Sequence, residues 1–252
     1  MHSTTLFTGE KRMHFTSVDS TNTRLGQILK ENELLEGASL TADFQSLGRG
    51  QQGAVWHSDS GMNLLVSYLL FPVMLNAQEG YALNLLASLA VSEAVATLIH
   101  HEVHIKWPND IFVADRKLAG LLIETVLQGD LVRQAIVGIG LNVNQKEFPA
   151  ELQDPVSLSL LSGKNHSIDN VFEILSLEME RWYHELKKSG IGPLIEKYEN
   201  RLYRKGSRAT YQDERGVFEG EITGIDKNGR LMLIDSDGIE KRYDVRTLRY
   251  LR

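Results

Sequence analysis

The pattern of apolar residues changes near Gly206, and this change constrains the fold more than any other feature. Before it, short β-prone runs alternate with long segments such as YALNLLASLAVSEAVATLI, whose apolar residues recur at helical spacing. After it, short β-prone runs are separated by the turn sequences DERG, DKNG and DSDG. The sequence therefore predicts a mixed α/β domain at residues 1–204 and a small closed β-barrel of about five strands at residues 205–252.

The first domain is predicted to be a mixed sheet with flanking helices. Asp19 or Ser20 is placed to cap a helix through TNTRLGQILKEN. Gly129-Asp130 separates two β-prone runs and predicts a hairpin. The remaining predicted strands are SLTADFQ, MNLLVSYLLF and HIKWPNDIFVA, and two further helices are DNVFEILSLEMERWYHELKKSG and GPLIEKYENRLYRKG.

Composition narrows the class of protein. The chain has 252 residues and no cysteine, which excludes disulfides, thiolate metal sites and a cysteine nucleophile. The N-terminal MHSTTLFTGEKRMHF lacks the apolar core of a signal peptide. Apolar stretches such as LLVSYLLFPVML are shorter than the roughly 18–20 residues that span a bilayer. We therefore expect a cytoplasmic protein without a membrane partner.

The charge distribution argues against sequence-independent binding to nucleic acid. The net charge is −6, of which residues 1–204 contribute −7 and residues 205–252 contribute +1. RLYRKGSR (201–208) is the main basic cluster. It is explained either by a helix C-terminus, where cations face the negative end of the helix dipole, or by a phosphate-binding role. The C-terminal barrel could be a nucleic-acid module, but Phe218, Tyr243 and Tyr250 are its only aromatic residues after Gly216.

A glycine-rich run, QSLGRGQQGAVWHSDSG (45–61), connects two predicted strands. It matches GxGxxG literally, but a strand-like run follows it where a dinucleotide-binding fold needs a helix. Arg49 supplies a fork of donors for carboxylate or phosphate, and Trp56 supplies a flat face for a heterocycle. These two residues favour a ligand-binding loop, while a flexible surface turn remains the alternative.

Two further segments carry lysines next to apolar strands. In HIKWPNDI, Lys106 precedes a Trp-Pro pair, and burial of its ammonium would require a negative partner. In DRKLAGLLIE, Lys117 and Glu124 flank a strand in which Gly120 permits close approach of a ligand. A solvent-exposed lysine is the alternative at both positions.

Five segments in this order resemble the biotin–protein ligases. The similarity covers nearly the whole chain and implies a catalytic domain like that of class II aminoacyl-tRNA synthetases, with an SH3-like C-terminal domain. The segments are DSTN (19–22), QSLGRGQQGAVWHSDSG (45–61), KWPND (106–110), KLAGLLIE (117–124) and VGIGLNVN (137–144), with GIDKNGRLML (224–233) in the C-terminal part.

The resemblance implies a two-step reaction. ATP, with Mg²⁺, activates biotin to biotinyl-5′-AMP, and the biotinyl group is then transferred to a lysine of a biotin carboxyl carrier protein. It identifies neither the carboxylase nor the Mg²⁺ ligands, and it is compatible with a homodimer. A lipoate–protein ligase and a noncatalytic biotin-binding module are the alternatives. KWPND together with GRG…W favours biotin over lipoate as the substrate. Arg49 and Lys106, both present, favour an enzyme over a noncatalytic binding module.

The resemblance also assigns residues to roles. Lys106 and Arg49 are expected to be catalytic, with Lys106 against the biotin carboxylate and the adenylate phosphate. Lys117 matches a lysine that recurs in the family, but the resemblance assigns it to no particular step of the reaction. The expected biotin-binding residues are Ser20, Thr21, Asn22, Gln45, Arg49, Gly50, Gln51 and Lys106, and the expected adenylate-binding residues are Arg49, Trp56, Lys117 and Asn142.

The sequence departs from the family in two places. Where the common family loop reads GRGRRGR, this chain reads GRGQQGA, so that Gln51, Gln52 and Ala54 replace three cations. Hydrogen bonds without charge assistance are weaker, and we expect looser retention of the adenylate. DSTN begins at residue 19, which leaves no room for the N-terminal helix-turn-helix of repressor members. We therefore expect a monofunctional ligase that does not bind operator DNA.

Overall fold

The computed structural model describes residues 12–245 and 247–251, and only the main chain of Gln52. Most of the N-terminal stretch that was searched for a signal peptide lies outside these residues. The described elements are β1 (Arg12–Val18), α1 (Thr21–Glu31), β2 (Ser39–Gln45), β3 (Leu64–Leu70), α2 (Ala82–Leu98), β4 (Val103–Lys106), β5 (Asp110–Val113), β6 (Arg116–Gln128), β7 (Leu131–Leu141), α3 (Leu158–Ser162), α4 (Ile168–Ser189), α5 (Gly192–Glu199), β8 (Arg208–Asp213), β9 (Gly216–Ile225), β10 (Leu231–Asp235), β11 (Glu240–Tyr243) and β12 (Arg249–Tyr250).

The first seven strands form one mixed sheet in the order β1-β2-β3-β7-β6-β5-β4. β1 and β2 are parallel, and the other neighbours are antiparallel. The predicted mixed sheet with flanking helices is confirmed, as is the hairpin at Gly129-Asp130, which joins Gln128 to Leu131. The run HIKWPNDIFVA is not one strand, because it folds back into β4 and β5 with Lys106 opposite Asp110.

Strand β3 is buried along its whole length because the sheet is covered on both faces. Leu64, Val66, Tyr68 and Leu70 belong to the larger core, which includes apolar residues of α2 and α4. Leu69, on the opposite face, joins a smaller core with α1. Helix α1 therefore lies on the opposite face of the sheet from α2, and its N-terminus reaches β6 and β7.

The segment Ala77–Leu98 is long and apolar enough to cross a membrane by length and composition, contrary to the expectation from sequence. However, 67% of its apolar window is buried inside the fold. Helix α2, which it contains, packs against α4, α5 and the sheet. This burial is typical of the central helix of a globular core.

The last five strands form an antiparallel sheet in the order β11-β10-β9-β8-β12. The predicted strand number is correct, but closure into a barrel is not found among the described strands. β11 and β12 are the two edges, and β12 has two residues that pair with β8 alone. The sheet contacts the rest of the fold through hydrogen bonds from the Tyr81 hydroxyl, at the N-terminus of α2, to the Lys227 carbonyl and from Trp107 Nε1, in the turn between β4 and β5, to the Gly229 carbonyl.

Candidate functional site

A cavity of about 240 Å³ opens where the N-terminus of α1 meets β6 and β7. Five separate segments of the chain line it, and it brings together most of the residues predicted for the site. The predicted residues that line it are Ser20, Thr21, Asn22, Gln45, Arg49, Gly50, Gln51, Trp56 and Lys117. Lys106 and Asn142 line an adjoining cavity of about 280 Å³, which shares Trp56 and Lys117 with the first.

Two glycines form the floor of the first cavity. Gly120 and Gly140 lie opposite each other on β6 and β7. A Cβ atom at Gly140 would lie 2.4 Å from Cε2 of Trp56, and one at Gly120 would lie 3.1 Å from Cζ3 of the same ring. The indole therefore lies directly on the sheet, where glycine alone leaves room for it. Its buried Nε1 has no hydrogen-bond partner among the described residues.

The start of α1 and the end of β2 form a polar wall. Ser20 occupies the N-cap position but makes no side-chain capping bond, contrary to one expectation. The backbone N and the hydroxyl of Thr21 both donate to Gln45 Oε1, at 2.7 and 3.0 Å. This fixes the orientation of the Gln45 amide and leaves its NH₂ group for a ligand, since the structure gives that group no bond to another described residue.

Asn22 is held by the protein itself. Its Nδ2 donates to the Leu122 carbonyl at 3.1 Å and to Glu124 Oε2 at 2.8 Å, and its Oδ1 accepts from the Ser67 hydroxyl at 2.6 Å. A Cβ atom at Gly138 would lie 2.2 Å from this Oδ1. Both ends of the Asn22 amide are therefore engaged, and the side chain anchors α1 to the sheet.

Each cation in the first cavity is paired with a carboxylate. Arg49 Nη2 lies 2.5 Å from Glu124 Oε2, and Lys117 Nζ lies 2.7 Å from Asp110 Oδ1. All four side chains are between about 30% and 45% exposed. Asp110 and Glu124 were not predicted as site residues. Their charge, opposite to that of Lys117, and their positions on β5 and β6 are the signals that could have identified them.

The adjoining cavity combines a cation, apolar walls and an unpaired acceptor. Asn142 is buried and its Nδ2 donates to the Val156 carbonyl at 3.0 Å, while its Oδ1 has no partner among the described residues. Such an orphaned acceptor is costly unless a ligand donates to it. Phe148 and Leu152 supply apolar surface, and no pattern in the sequence had identified them.

Lys106 lies over two aromatic rings, at 5.0 Å from the centroid of Phe112 and 4.9 Å from that of Tyr250. Burial lowers its pKa from the usual value, and the nearby Asp110 carboxylate acts in the opposite direction. The Lys106 side chain lines the adjoining cavity and is not among the residues that line the first one.

No cluster of three or more His, Asp or Glu side chains that could hold a metal ion occurs within residues 12–245 and 247–251. Asp110 is the carboxylate that lines both cavities. A divalent cation at this position would need further oxygen ligands from a substrate, which is how Mg²⁺ is commonly held beside phosphates.

Comparison with known proteins gives a consistent result. The bifunctional ligase/repressor BirA of Bacillus spizizenii is 34% identical over 232 residues, covering 91% of this chain and 71% of that protein. The biotin–[acetyl-CoA-carboxylase] ligase of Mycobacterium tuberculosis is 30% identical over 209 residues, covering 79% and 74%. The solved structure of the Aquifex aeolicus biotin protein ligase in complex with biotin and ATP is 29% identical, with a TM-score of 0.80 and coverage of 96% and 100%.

The model of the biotin/lipoate A/B protein ligase family matches residues 14–142. This range contains β2 to β7, most of β1 and every residue that lines the first cavity. Together with the relatives described above, the match establishes that the chain belongs to the biotin/lipoate A/B protein ligase family.

Proposed function

We propose that this protein is a biotin–protein ligase that activates biotin with ATP and transfers it to a lysine of a biotin carboxyl carrier protein. The observation that carries the proposal is the junction of two cavities at Trp56, Lys117 and Asp110. One cavity is lined by amide and hydroxyl groups, and the other has apolar walls, a lysine and an unpaired acceptor. Relatives and solved structures whose names include biotin and ATP support this assignment.

The first cavity fits biotin. We assign the ureido ring to the polar wall of Ser20, Thr21 and Gln45, because that ring needs both donors and acceptors. The Gln45 NH₂ group is oriented for this task by the two bonds that its Oε1 accepts. Asn22 supports this wall from behind, since its own amide is engaged. Gly50 and Gln51 close the cavity from the loop side.

The biotin carboxylate is assigned to the junction of the two cavities. Lys117 is the lysine at that junction, and Arg49 lies on the loop above it. The cation closest to the biotin carboxylate is therefore Lys117 in this proposal, and Lys106 acts on the nucleotide phosphates. Trp56 separates the two cavities and offers one indole face to the bound intermediate.

The adjoining cavity fits the nucleotide. The orphaned Oδ1 of Asn142 can accept a hydrogen bond from the exocyclic amine of adenine. Phe148 and Leu152 would cover the base, and Lys106 would contact the phosphates. Mg²⁺ would enter with ATP, with Asp110 as the carboxylate placed to ligate it beside the phosphates. When bound, it would neutralise part of the phosphate charge.

The residues of this chain act mainly by charge and position. A biotin carboxylate oxygen attacks the α-phosphorus, and the bond from that phosphorus to pyrophosphate breaks. Because two anions must meet, Arg49, Lys106 and Lys117 lower the repulsion between them. In the second step, the carrier lysine nitrogen attacks the acyl carbon, the bond to AMP breaks, and the amine loses a proton to the surroundings.

The glycine-rich loop is proposed to be a lid. It doubles back on itself, with Trp56 N donating to the Gly48 carbonyl at 2.9 Å and Arg49 bridged to Val55. A lid must exclude water from the acyl-adenylate and then admit the carrier lysine. We expect the loop to be more mobile without ligand than with the adenylate, as hydrogen exchange would measure.

The remaining assignments concern the whole chain. We propose that the C-terminal sheet, from residue 205 onward, is an SH3-like domain. Its five short strands in the order β12-β8-β9-β10-β11 support this proposal. Cytoplasmic location, absence of operator binding and a homodimer stay predictions. Analytical ultracentrifugation would test the dimer.

A direct experiment tests the proposed activity. The protein is incubated with ATP, Mg²⁺ and biotin, and pyrophosphate release is followed; a carrier domain is then added and its mass is measured. We expect biotin-dependent pyrophosphate and a mass increase of one biotinyl group. Lipoate in place of biotin should give neither. Equal activity with lipoate, or biotin binding without pyrophosphate release, would overturn the proposal.

A further inference from the structure

Lys106 differs from the other cations of the site in its surroundings. Arg49 and Lys117 are paired with carboxylates, whereas Lys106 forms no ion pair with any carboxylate in the described part of the chain. Its ammonium lies instead over Phe112 of β5 and Tyr250 of β12. A cation within about 6 Å of a ring centroid is attracted by the negative face of the ring.

The Tyr250 ring belongs to the C-terminal sheet and is held there firmly. Tyr250 pairs with Tyr211 across β12 and β8, and the two ring centroids are 5.4 Å apart in an edge-on arrangement. Its ring also packs on Tyr203 at 6.3 Å. Arg204 Nη1 donates to the Leu251 carbonyl at 2.7 Å, which ties down the residue that follows.

The main chain beside Lys106 is fixed to the same part of the molecule. Ile105 N donates to the Arg201 carbonyl at 2.7 Å, and Tyr203 N donates to the Ile105 carbonyl at 2.9 Å. The segment 201–204 therefore contacts both β4, which carries Lys106, and the strand end that carries Tyr250. The segment 201–204 therefore fixes the position of the Lys106 main chain relative to the Tyr250 ring.

We propose that Tyr250 is a positioning residue for the ligase reaction, whose ring holds the Lys106 ammonium toward the nucleotide cavity. The inference rests on the proposed function and deepens it, because it makes the C-terminal sheet part of the ATP site. A ring attracts the ammonium without a formal negative charge. Lys106 is therefore not paired with a carboxylate as Arg49 and Lys117 are, and no ion pair has to break before it contacts the phosphates.

Steady-state pyrophosphate release tests the proposal in the full-length protein. We expect Tyr250→Leu to lower kcat/KM for ATP by about tenfold, the effect of losing one desolvated cation–π contact. The KM for biotin should stay unchanged, because Lys106 lies outside the first cavity. Tyr250→Phe should retain wild-type kinetics, since the Tyr250 hydroxyl has no partner among the described residues.

Two controls separate positioning from general packing. Phe218→Leu removes a ring that packs on Tyr211 in the same sheet without lying over Lys106, and it should leave kcat/KM for ATP unchanged. In a Lys106→Met background, Tyr250→Leu should cause no further loss. Equal losses for ATP and biotin, or full additivity with Lys106→Met, would overturn the inference.

Should Tyr250→Leu fail to fold, fluorinated phenylalanines at position 250 keep the ring and weaken its negative face. We expect kcat/KM for ATP to fall stepwise with each added fluorine. If kcat/KM for ATP stays constant across the fluorinated variants of an active enzyme, the positioning role of Tyr250 is overturned while the proposed function stands. A wild-type protein that releases no pyrophosphate with biotin and ATP would instead overturn the proposed function.

Discussion

At the scale of single residues, the two lysines of the site are expected to serve different substrates. Lys117→Met should lower kcat/KM for biotin by roughly 100- to 1000-fold, the cost of losing one charged contact in a desolvated site. Lys106→Met should lower kcat/KM for ATP by a similar factor with a smaller effect on biotin. Initial-rate kinetics with each substrate varied would measure both, with Lys188→Met on the exposed end of α4 as control. Near wild-type rates for both variants would contradict the assigned roles.

The glycine floor gives a second prediction at this scale. Gly140→Ala would place a Cβ atom 2.4 Å from Trp56, so the indole must leave the sheet and enter the space assigned to the ligand. We expect biotin affinity to fall at least tenfold, measured by calorimetry, with a changed tryptophan emission spectrum. Gly192→Ala, where no atom lies within 4 Å, is the matched control. Unchanged affinity in Gly140→Ala would argue against biotin in this cavity.

Most of the site residues predicted from the sequence line the first cavity, but the sequence could not distinguish the position of Lys106 from that of Lys117. The direction of the Lys106 side chain depends on the pairing of β4 with β5, and that of Lys117 depends on the pairing of β5 with β6. That pairing is irregular between Ile111 and Phe112, and such a shift reverses which face a side chain occupies. The ion pairs with Asp110 and Glu124 depend on the same register.

At the scale of elements, the lid of this chain carries less charge than the biotin–protein ligase loops it resembles. Gln51 lines the first cavity, and Arg49 shares its charge with Glu124. We expect Gln51→Arg to slow dissociation of biotinyl-5′-AMP by about tenfold, because a charge-assisted hydrogen bond replaces a neutral one. Release of radiolabelled adenylate would measure the rate. Gln78→Arg, an exposed substitution elsewhere, should leave it unchanged, and a faster rate in Gln51→Arg would contradict the argument.

Glu36 connects the start of β2 with α4 and should make stability depend on pH. Its carboxylate accepts from the Tyr183 hydroxyl, Lys187 Nζ and Phe71 N. Burial acts to raise the pKa of Glu36, but these bonds outweigh it, and the pKa is lowered. A carboxyl group whose pKa is lowered on folding stabilises the folded state at pH values above its unfolded-state pKa. This contribution is lost as the pH falls through its folded-state pKa.

The test compares urea unfolding of the wild type and Glu36→Gln over a range of pH. We expect Glu36→Gln to be less stable by about 1–2 kcal/mol at neutral pH, with the difference vanishing in acid. Glu33→Gln, in the exposed connection between α1 and β2, is the control. A difference that persists in acid would assign the effect to packing instead of charge.

Element boundaries followed from the sequence where one pattern dominated. SLTADFQ corresponds to β2 as observed, because a polar glycine loop ends it. HIKWPNDIFVA predicts a single strand because apolar residues lie on both sides of Pro108. In the structure the chain reverses between Lys106 and Asp110, and the run forms two strands. The local pattern holds no information on which way the chain turns after the Pro.

At the scale of the whole molecule, net charge predicts weak contact with nucleic acid. With a net charge of −6, the protein should not shift duplex DNA at moderate salt, because phosphate neutralisation requires a concentrated basic surface. An electrophoretic mobility assay with promoter and unrelated DNA, with and without biotin, would measure this. A specific, biotin-dependent shift would contradict the prediction.

Architecture at this scale was only partly visible in the sequence. The five C-terminal strands were predicted correctly from their turns, but the predicted closure into a barrel is not found, since closure depends on whether edge strands of two and four residues meet. The hydrogen bond from Trp107 to Gly229 joins positions 122 residues apart in sequence. Contacts of this range follow from packing rather than from local pattern.

The paired cations of the first cavity also have a consequence for discrimination among metabolites. Arg49 with Glu124 and Lys117 with Asp110 present two dipoles rather than two charges, and the field of a dipole fades more steeply with distance. A small anion such as acetate would have to break an ion pair and would gain only an equivalent one. In the proposed assignment, the polar wall holds the biotin ring while the biotin carboxylate makes that exchange. We therefore expect abundant simple anions to be excluded from the cavity, because their charge alone gives no net gain on binding.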